Sequence, residues 1–322
     1  MGIGILRRIG VAAGLAAAAV AGLVAAPARA QPAIATVPYT VDTDGALSVA
    51  VMVNGRGPYD FIIDTGATLT LAFENLAAIE TFAPTGAPKR RILGISGSAM
   101  LDTYRIGDIA VGAARMSDHV GVVLADWKPP RKTPHGILGI DFFRRYAVVF
   151  NVRDRTISLY PHGGIPKETT RKWRSVRLKT QSFVAASGAL YTTRGTLNGA
   201  PVTFIIDLGS SATLVNYEAA EAIYAGTIAF GAATAATVGS RLKDIFDNRT
   251  RVRAGKFRKI SIGGAIWRER VIWLNDAPIF EEFGVASQPY GLLGADLLAT
   301  QDFALDFGEN RLYISKINQK KR

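Results

Sequence analysis

The sequence contains no cysteine. That absence excludes disulfides, thiol nucleophiles, thiolate metal sites and lipid attachment through cysteine. Histidine is nearly as scarce. His119, His135 and His162 stand in unrelated contexts without metal-ligand spacing, so structural or solvent roles are expected, with no metal and no cofactor. No serine nucleophile motif with a matching histidine is present, which removes a second class of hydrolase. Acidic residues are outnumbered 26 to 38, giving a formal charge of +12. The basic residues are scattered (Lys89 to Arg91, Arg144 and Arg145, Lys320 to Arg322) without aromatic interleaving, so they read as a solvated exterior and nucleic acid is not an expected partner.

What is present begins with an export-type leader. Arg7 and Arg8 precede an apolar, small-residue stretch from Ile9 to Ala26, and Ala28-Arg29-Ala30 offers a cleavage pattern before Gln31. Residues 1–30 therefore read as a signal peptide, and the expected location is periplasmic or secreted. Loss of Arg7, Arg8 and Arg29 leaves a mature charge of 12 − 3 = +9. Retention of the leader is the competing reading, because its apolar stretch is just long enough to span a bilayer; otherwise no stable membrane association is expected. With 322 residues and 48% hydrophobic content, the chain can bury one large or two modest cores.

The organising feature is a block that occurs twice. Phe61-Ile62-Ile63-Asp64-Thr65-Gly66-Ala67 is an apolar strand ending in an acid and a glycine turn, and Phe204-Ile205-Ile206-Asp207-Leu208-Gly209-Ser210 repeats it. Each is followed by a matched glycine block, Gly136-Ile137-Leu138-Gly139 and Gly291-Leu292-Leu293-Gly294. After each glycine block come Asp141 or Asp296, a short helical turn and two strands. The spacing predicts a duplicated unit that is mainly β, with two or three short helices. A first lobe is expected over 31–163, a linker over 164–180 and a second lobe over 181–322. Leu69 to Ala78 reads as a short helix, and Arg90 to Ile106 as a hairpin with Ser96-Gly97-Ser98 at its tip. Trp127 to Pro134 reads as a basic loop. Gly226 to Thr237 carries no legible pattern.

Two identically presented carboxylates, one per half, suggest that the halves pack face to face and bring Asp64 and Asp207 together. Such a pair cannot ionise twice without a large penalty, so it holds one proton and divides into a base and an acid. On Asp64-Thr65-Gly66-Ala67 with Ile137-Leu138-Gly139, and Asp207-Leu208-Gly209-Ser210 with Leu292-Leu293-Gly294, the sequence resembles the aspartic proteases. The likeness is to a bacterial, retropepsin-like or pepsin-like enzyme in a single two-lobed chain, and it spans nearly the whole mature sequence. It implies two pseudo-symmetric β-barrel-like lobes, an Asp64/Asp207 dyad that activates water, and a polypeptide substrate. It also implies supporting roles for Thr65, Gly66, Ala67, Leu208, Gly209 and Ser210, a substrate-covering flap at Ser96, Gly97 and Ser98, and a monomer. The alternative is a catalytically inactive peptide-binding protein on the same fold, for which Leu208 is the sequence support. Family members usually carry Thr or Ser there, whose hydroxyl locks the two acid loops together.

Three finer expectations follow from the residues. Asp141 and Asp296 sit where helix N-caps belong. Asp42-Thr43-Asp44-Gly45 resembles a calcium loop but lacks its later acids, so a hairpin turn is expected. Ser210 offers a hydroxyl to Asp207 while Ala67 offers none to Asp64, which would leave the charge on Asp207 and the proton on Asp64.

Overall fold

The structure, a computed structural model, describes residues 31–183, 188–224 and 241–316. The leader and the unreadable stretch Gly226 to Thr237 lie outside the described residues.

Two closed six-stranded barrels carry the two halves. In the first, the hydrogen-bonded order is Leu47–Val53, Arg56–Ile63, Gly136–Leu138, Leu71–Phe73, Ala114–Leu124 and Thr103–Val111, which pairs back to Leu47–Val53. In the second it is Ala189–Leu197, Ala200–Ile206, Tyr290–Leu293, Leu214–Val215, Ala265–Leu274 and Arg253–Ile262, closing on Ala189–Leu197. Closure removes the unpaired edges that would otherwise invite association.

The period of two explains the strands that deliver the acids. Leu47, Val49, Val51 and Val53 point into the first barrel, while Ala50 faces water. At the end of Arg56–Ile63 the alternation is lost and Phe61, Ile62 and Ile63 are all buried. Phe61 and Ile63 fill the barrel, whereas Ile62 joins Leu71, Phe73, Trp127 and Ile137 in a separate apolar cluster outside it. The strand is apolar on both faces because both faces are covered.

A third, six-stranded sheet joins the lobes. Its order is Ala35–Val41, Thr156–Tyr160, Ala147–Asn151, Phe303–Asp306, Arg311–Ile314 and Arg174–Arg177. The pseudo-twofold axis passes between the central strands at the Val149–Ala304 pair, and beside it Phe150 pairs with Phe303, their rings stacked at 4.4 Å. Within 164–180, the expected linker, Arg174–Arg177 forms the outer strand of this sheet and Lys179–Ser182 pairs with Ala189–Leu197.

Several local expectations are corrected. The segment beginning at Leu69 is first a strand, Leu71–Phe73, and its helix covers Glu74–Glu80. Six short helices occur among the described residues rather than two or three. In the flap hairpin Gly94 pairs with Gly97, so the tip is Ile95-Ser96, and Gly97 and Ser98 belong to the return strand. Asp42 to Gly45 forms the expected turn, with the Asp42 carboxylate accepting the N–H groups of Asp44 and Ala46 at 2.8 Å.

Candidate active site

Each acid is placed at the open end of a parallel strand pair. Asp64 N–H donates to the Leu138 carbonyl at 3.0 Å, and Asp207 N–H to the Leu293 carbonyl at 3.1 Å. Ala67 and Ser210 then accept from Ile140 and Ala295 at 2.8 and 2.9 Å, so each glycine block holds its own acid loop. The two glycine turns meet at the pseudo-twofold axis. A Cβ on Gly66 would come 2.6 Å from the carboxyl carbon of Asp207, and one on Gly209 closer still to that of Asp64. Glycine is required at both positions because each acid occupies the space a side chain would need.

The two carboxyl groups are buried, each set against the glycine turn of the other lobe. Asp64 Oδ1 accepts N–H bonds from Gly66 at 2.8 Å and Ala67 at 2.9 Å. Asp207 Oδ1 accepts the Ser210 N–H at 3.1 Å. Burial pushes the Asp207 carboxyl well above the usual carboxylate range, and the neighbouring charge of Asp64 adds to this. Burial also raises Asp64, opposed by its N–H bonds from Ala67 and Gly66 and by the bond from Asp207. The two shorter N–H bonds to Asp64 favour its charged form over that of Asp207.

Ser210 does not make the hydroxyl bond expected toward Asp207. Its hydroxyl donates to the carbonyl of Ala212 at 2.7 Å instead of to the carboxylate, so it does not favour the charged form of Asp207.

Thr65 and Leu208 lie at the contact between the acid loops. The Thr65 hydroxyl donates to the Ile206 carbonyl at 2.9 Å and accepts the N–H of Leu208 at 3.0 Å. Leu208 has no hydroxyl to return, and its side chain is fully buried in the main core.

Asp141 and Asp296 are not caps. The N-cap positions are Gly139 and Gly294, and each acid instead reaches back beneath an acid loop. Asp141 accepts the N–H and hydroxyl of Thr70 at 2.9 and 2.7 Å, and Asp296 those of Thr213 at 2.8 and 2.6 Å. Each threonine hydroxyl in turn accepts a glycine-block N–H, Gly139 at 3.0 Å and Gly294 at 3.1 Å. Thr70 and Thr213 went unread, though both stand six residues after their acid. His119 is buried behind the first brace, with Nε2 2.7 Å from the Thr70 carbonyl.

The dyad opens into a cleft between the lobes lined by Ile62, Leu71, Ile137 and Trp127 on one side and Leu190, Ile205, Ile279 and Leu292 on the other. The flap crosses above it. Ile95 accepts the Ile279 N–H at 3.3 Å, and Arg91 pairs with Glu282 at 2.9 Å, so the first-lobe hairpin lies on the second lobe. Ser96 lies at the tip and donates to Asp244, while Gly97 and Ser98 do not make the turn.

The comparisons agree with this geometry. An aspartyl protease family model matches residues 49–142 and 193–297, one block per lobe. No curated protein matches. Among solved structures, the aspartic proteinase from Irpex lacteus is similar at a TM-score of 0.55 and 13% identity, over 88% of this chain and 97% of that one. At that identity the likeness concerns the fold. The family model covers well over half of the chain and contains both acid loops and both glycine blocks, and the chain belongs to the aspartyl protease family.

Proposed function

We propose that the protein is an endopeptidase that hydrolyses peptide bonds with a water held between Asp64 and Asp207. The observation that carries the reading is the buried pair of facing carboxyls, one from each lobe, at the floor of a roofed cleft. Asp64 takes a proton from the water as its oxygen attacks the scissile carbonyl carbon, and Asp207 gives its proton to the carbonyl oxygen. The tetrahedral diol then collapses: the C–N bond breaks, the nitrogen takes the proton from Asp64, and a diol proton returns to Asp207. Acid and amine products leave with the dyad restored. The flap supports an extended polypeptide as substrate, since it covers the cleft with strand backbone. One chain carries both half-sites, so a monomer suffices.

Export is part of the proposal. The leader pattern supports a mature protein in the periplasm or outside the cell, and no described helix is long and apolar enough to cross a membrane. The buried Leu208 favours the second reading, a peptide-binding protein without hydrolysis. Digestion of an unstructured polypeptide by the mature protein, from acid to neutral pH, separates the two. Cleavage that falls by about a thousandfold or more in both Asp64→Asn and Asp207→Asn is expected. Full cleavage by either variant sinks the dyad; retention of peptide without cleavage by the wild type supports the binding protein.

A further inference from the structure

A second hairpin lies over the cleft. Arg241–Lys243 and Arg249–Arg251 pair antiparallel, with residues 244–248 as the connecting turn. The Asp244 carboxylate fixes this turn by accepting the N–H groups of Phe246 and Asn248, each at 2.9 Å. In chain order the hairpin follows the acid loop and its helix and precedes the long hairpin of the barrel, which is the place the flap holds in the first lobe.

This hairpin reaches in the opposite direction. Trp127 of the first lobe donates its indole N–H to the Ile245 carbonyl at 3.0 Å, and Lys128 donates its backbone N–H to Asp247 at 3.3 Å. Arg131 lies on the Trp127 ring, 3.3 Å from its centre, and its Nη1 reaches both the Asp244 carbonyl and the Asp247 carboxylate at 3.4 Å. Ile245 and Phe246 pack against the first-lobe cluster that contains Ile62, Leu71, Trp127 and Ile137. The two hairpin tips touch where Ser96 bonds Asp244 and Gly94 lies against the Phe246 ring.

The arrangement is reciprocal. Ile95 of the flap closes the apolar side of the cleft that belongs to the second lobe, and Ile245 closes the side that belongs to the first. The space left between them is about 180 Å³, with residues of both tips in its wall. A peptide in the cleft meets both tips as walls.

We propose that Ile245 is a specificity-determining residue: the second-lobe hairpin carries it across the cleft to complete the first-lobe apolar pocket, and Arg131 positions that hairpin. The inference rests on the hydrolytic reading for its meaning, but binding tests it separately. A side chain held between Ile62, Leu71, Ile92, Ile137 and Ile245 is selected for size by the one wall that comes from the other lobe. Arg131 acts through the hairpin by stacking on Trp127 and bonding Asp244 and Asp247.

The test uses peptides with a hydroxyethylene group in place of the scissile amide, carrying Leu or Trp on each side of it in turn. Their affinities are measured by calorimetry for the full mature chain and for Ile245→Ala, Ile245→Trp, Arg131→Ala and Arg131→Lys. In Ile245→Ala the preference should shift toward Trp by about tenfold on one side of the isostere and remain unchanged on the other. Ile245→Trp should move the same side toward Leu. Arg131→Ala should relax that side's preference as Ile245→Ala does, with Arg131→Lys restoring part of it. Each sample is compared on two peptides, so partial unfolding lowers both affinities alike and leaves the ratio unmoved. A ratio unaltered on both sides in Ile245→Ala overturns the proposal, as does a wild type that binds none of the peptides. Cleavage of the matching ordinary peptides, run alongside, reads the dyad alone: binding that shifts as described without cleavage leaves the pocket standing and removes the hydrolytic reading.

Discussion

The hydroxyl of Thr65 accepts the N–H of Leu208 at 3.0 Å while donating to the carbonyl of Ile206, and Leu208 returns no bond across the axis. One side chain thus carries the whole polar lock between the acid loops. Thr65→Val keeps the shape and removes both bonds, leaving a buried carbonyl and a buried N–H unpaired. Each unpaired group costs about 1–3 kcal/mol. Urea unfolding should show a loss in that range or up to twice it, together with reduced turnover. A variant as stable as wild type would mean that the lobes do not depend on this lock.

Leu208→Thr tests the other half of the same contact. A second hydroxyl can complete the lock, but removal of buried leucine atoms leaves a cavity costing a few kcal/mol. The expected outcome is a lower melting temperature with turnover kept or raised. Turnover per folded molecule that falls would show that leucine, and not a missing hydroxyl, is what the site requires.

Ser210→Ala should leave the acidic limb of the activity profile in place, because the Ser210 hydroxyl bonds the Ala212 carbonyl and not the dyad. An acidic limb displaced toward higher pH would restore the role that the sequence suggested for this serine.

The dyad also sets the pH dependence of stability. Both carboxyls are raised in the fold, so the native chain keeps protons that the unfolded chain releases above about pH 4. Their contribution to stability is fully present below that pH and is lost as the pH rises through the folded values, at about 1.4 kcal/mol for each pH unit separating folded from unfolded. Asp207→Asn removes most of this dependence. It should therefore gain stability relative to wild type between pH 4 and 7 and lose the gain near pH 3, measured by urea unfolding. A difference that does not vary with pH would place the proton elsewhere.

The architecture was legible because its signals are local. An apolar strand stopped by Asp64-Thr65-Gly66 is written in consecutive residues, and its repetition at Asp207 announced the second lobe. The braces were legible in principle, since Thr70 and Thr213 share one offset from their acids. The flap tip was misplaced because Gly97 suggested a turn, whereas the Gly94 to Gly97 register puts the turn at Ile95-Ser96. Ser210 misled because a hydroxyl can rotate toward any acceptor in reach, and the nearest is a backbone carbonyl. The second hairpin was hidden for a different reason. Its grip joins Trp127 to Ile245, 118 residues apart, and no short-range pattern encodes that contact.

The stacked rings of Phe150 and Phe303 lie far along the chain from either acid, yet their strands connect to both acid loops. Their strands follow directly on the helices Ile140–Phe143 and Ala295–Leu298, which are bonded to the acid loops. The register of this seam therefore fixes how high one carboxyl stands against the other. The smallest slip that keeps the same faces inward is two residues. It would slide one lobe along the other by about 6.6 Å, too far for two oxygens to hold one proton. The seam thus works as an alignment key: substitutions that only loosen its stacking would first appear as a misplaced proton, before any loss of fold.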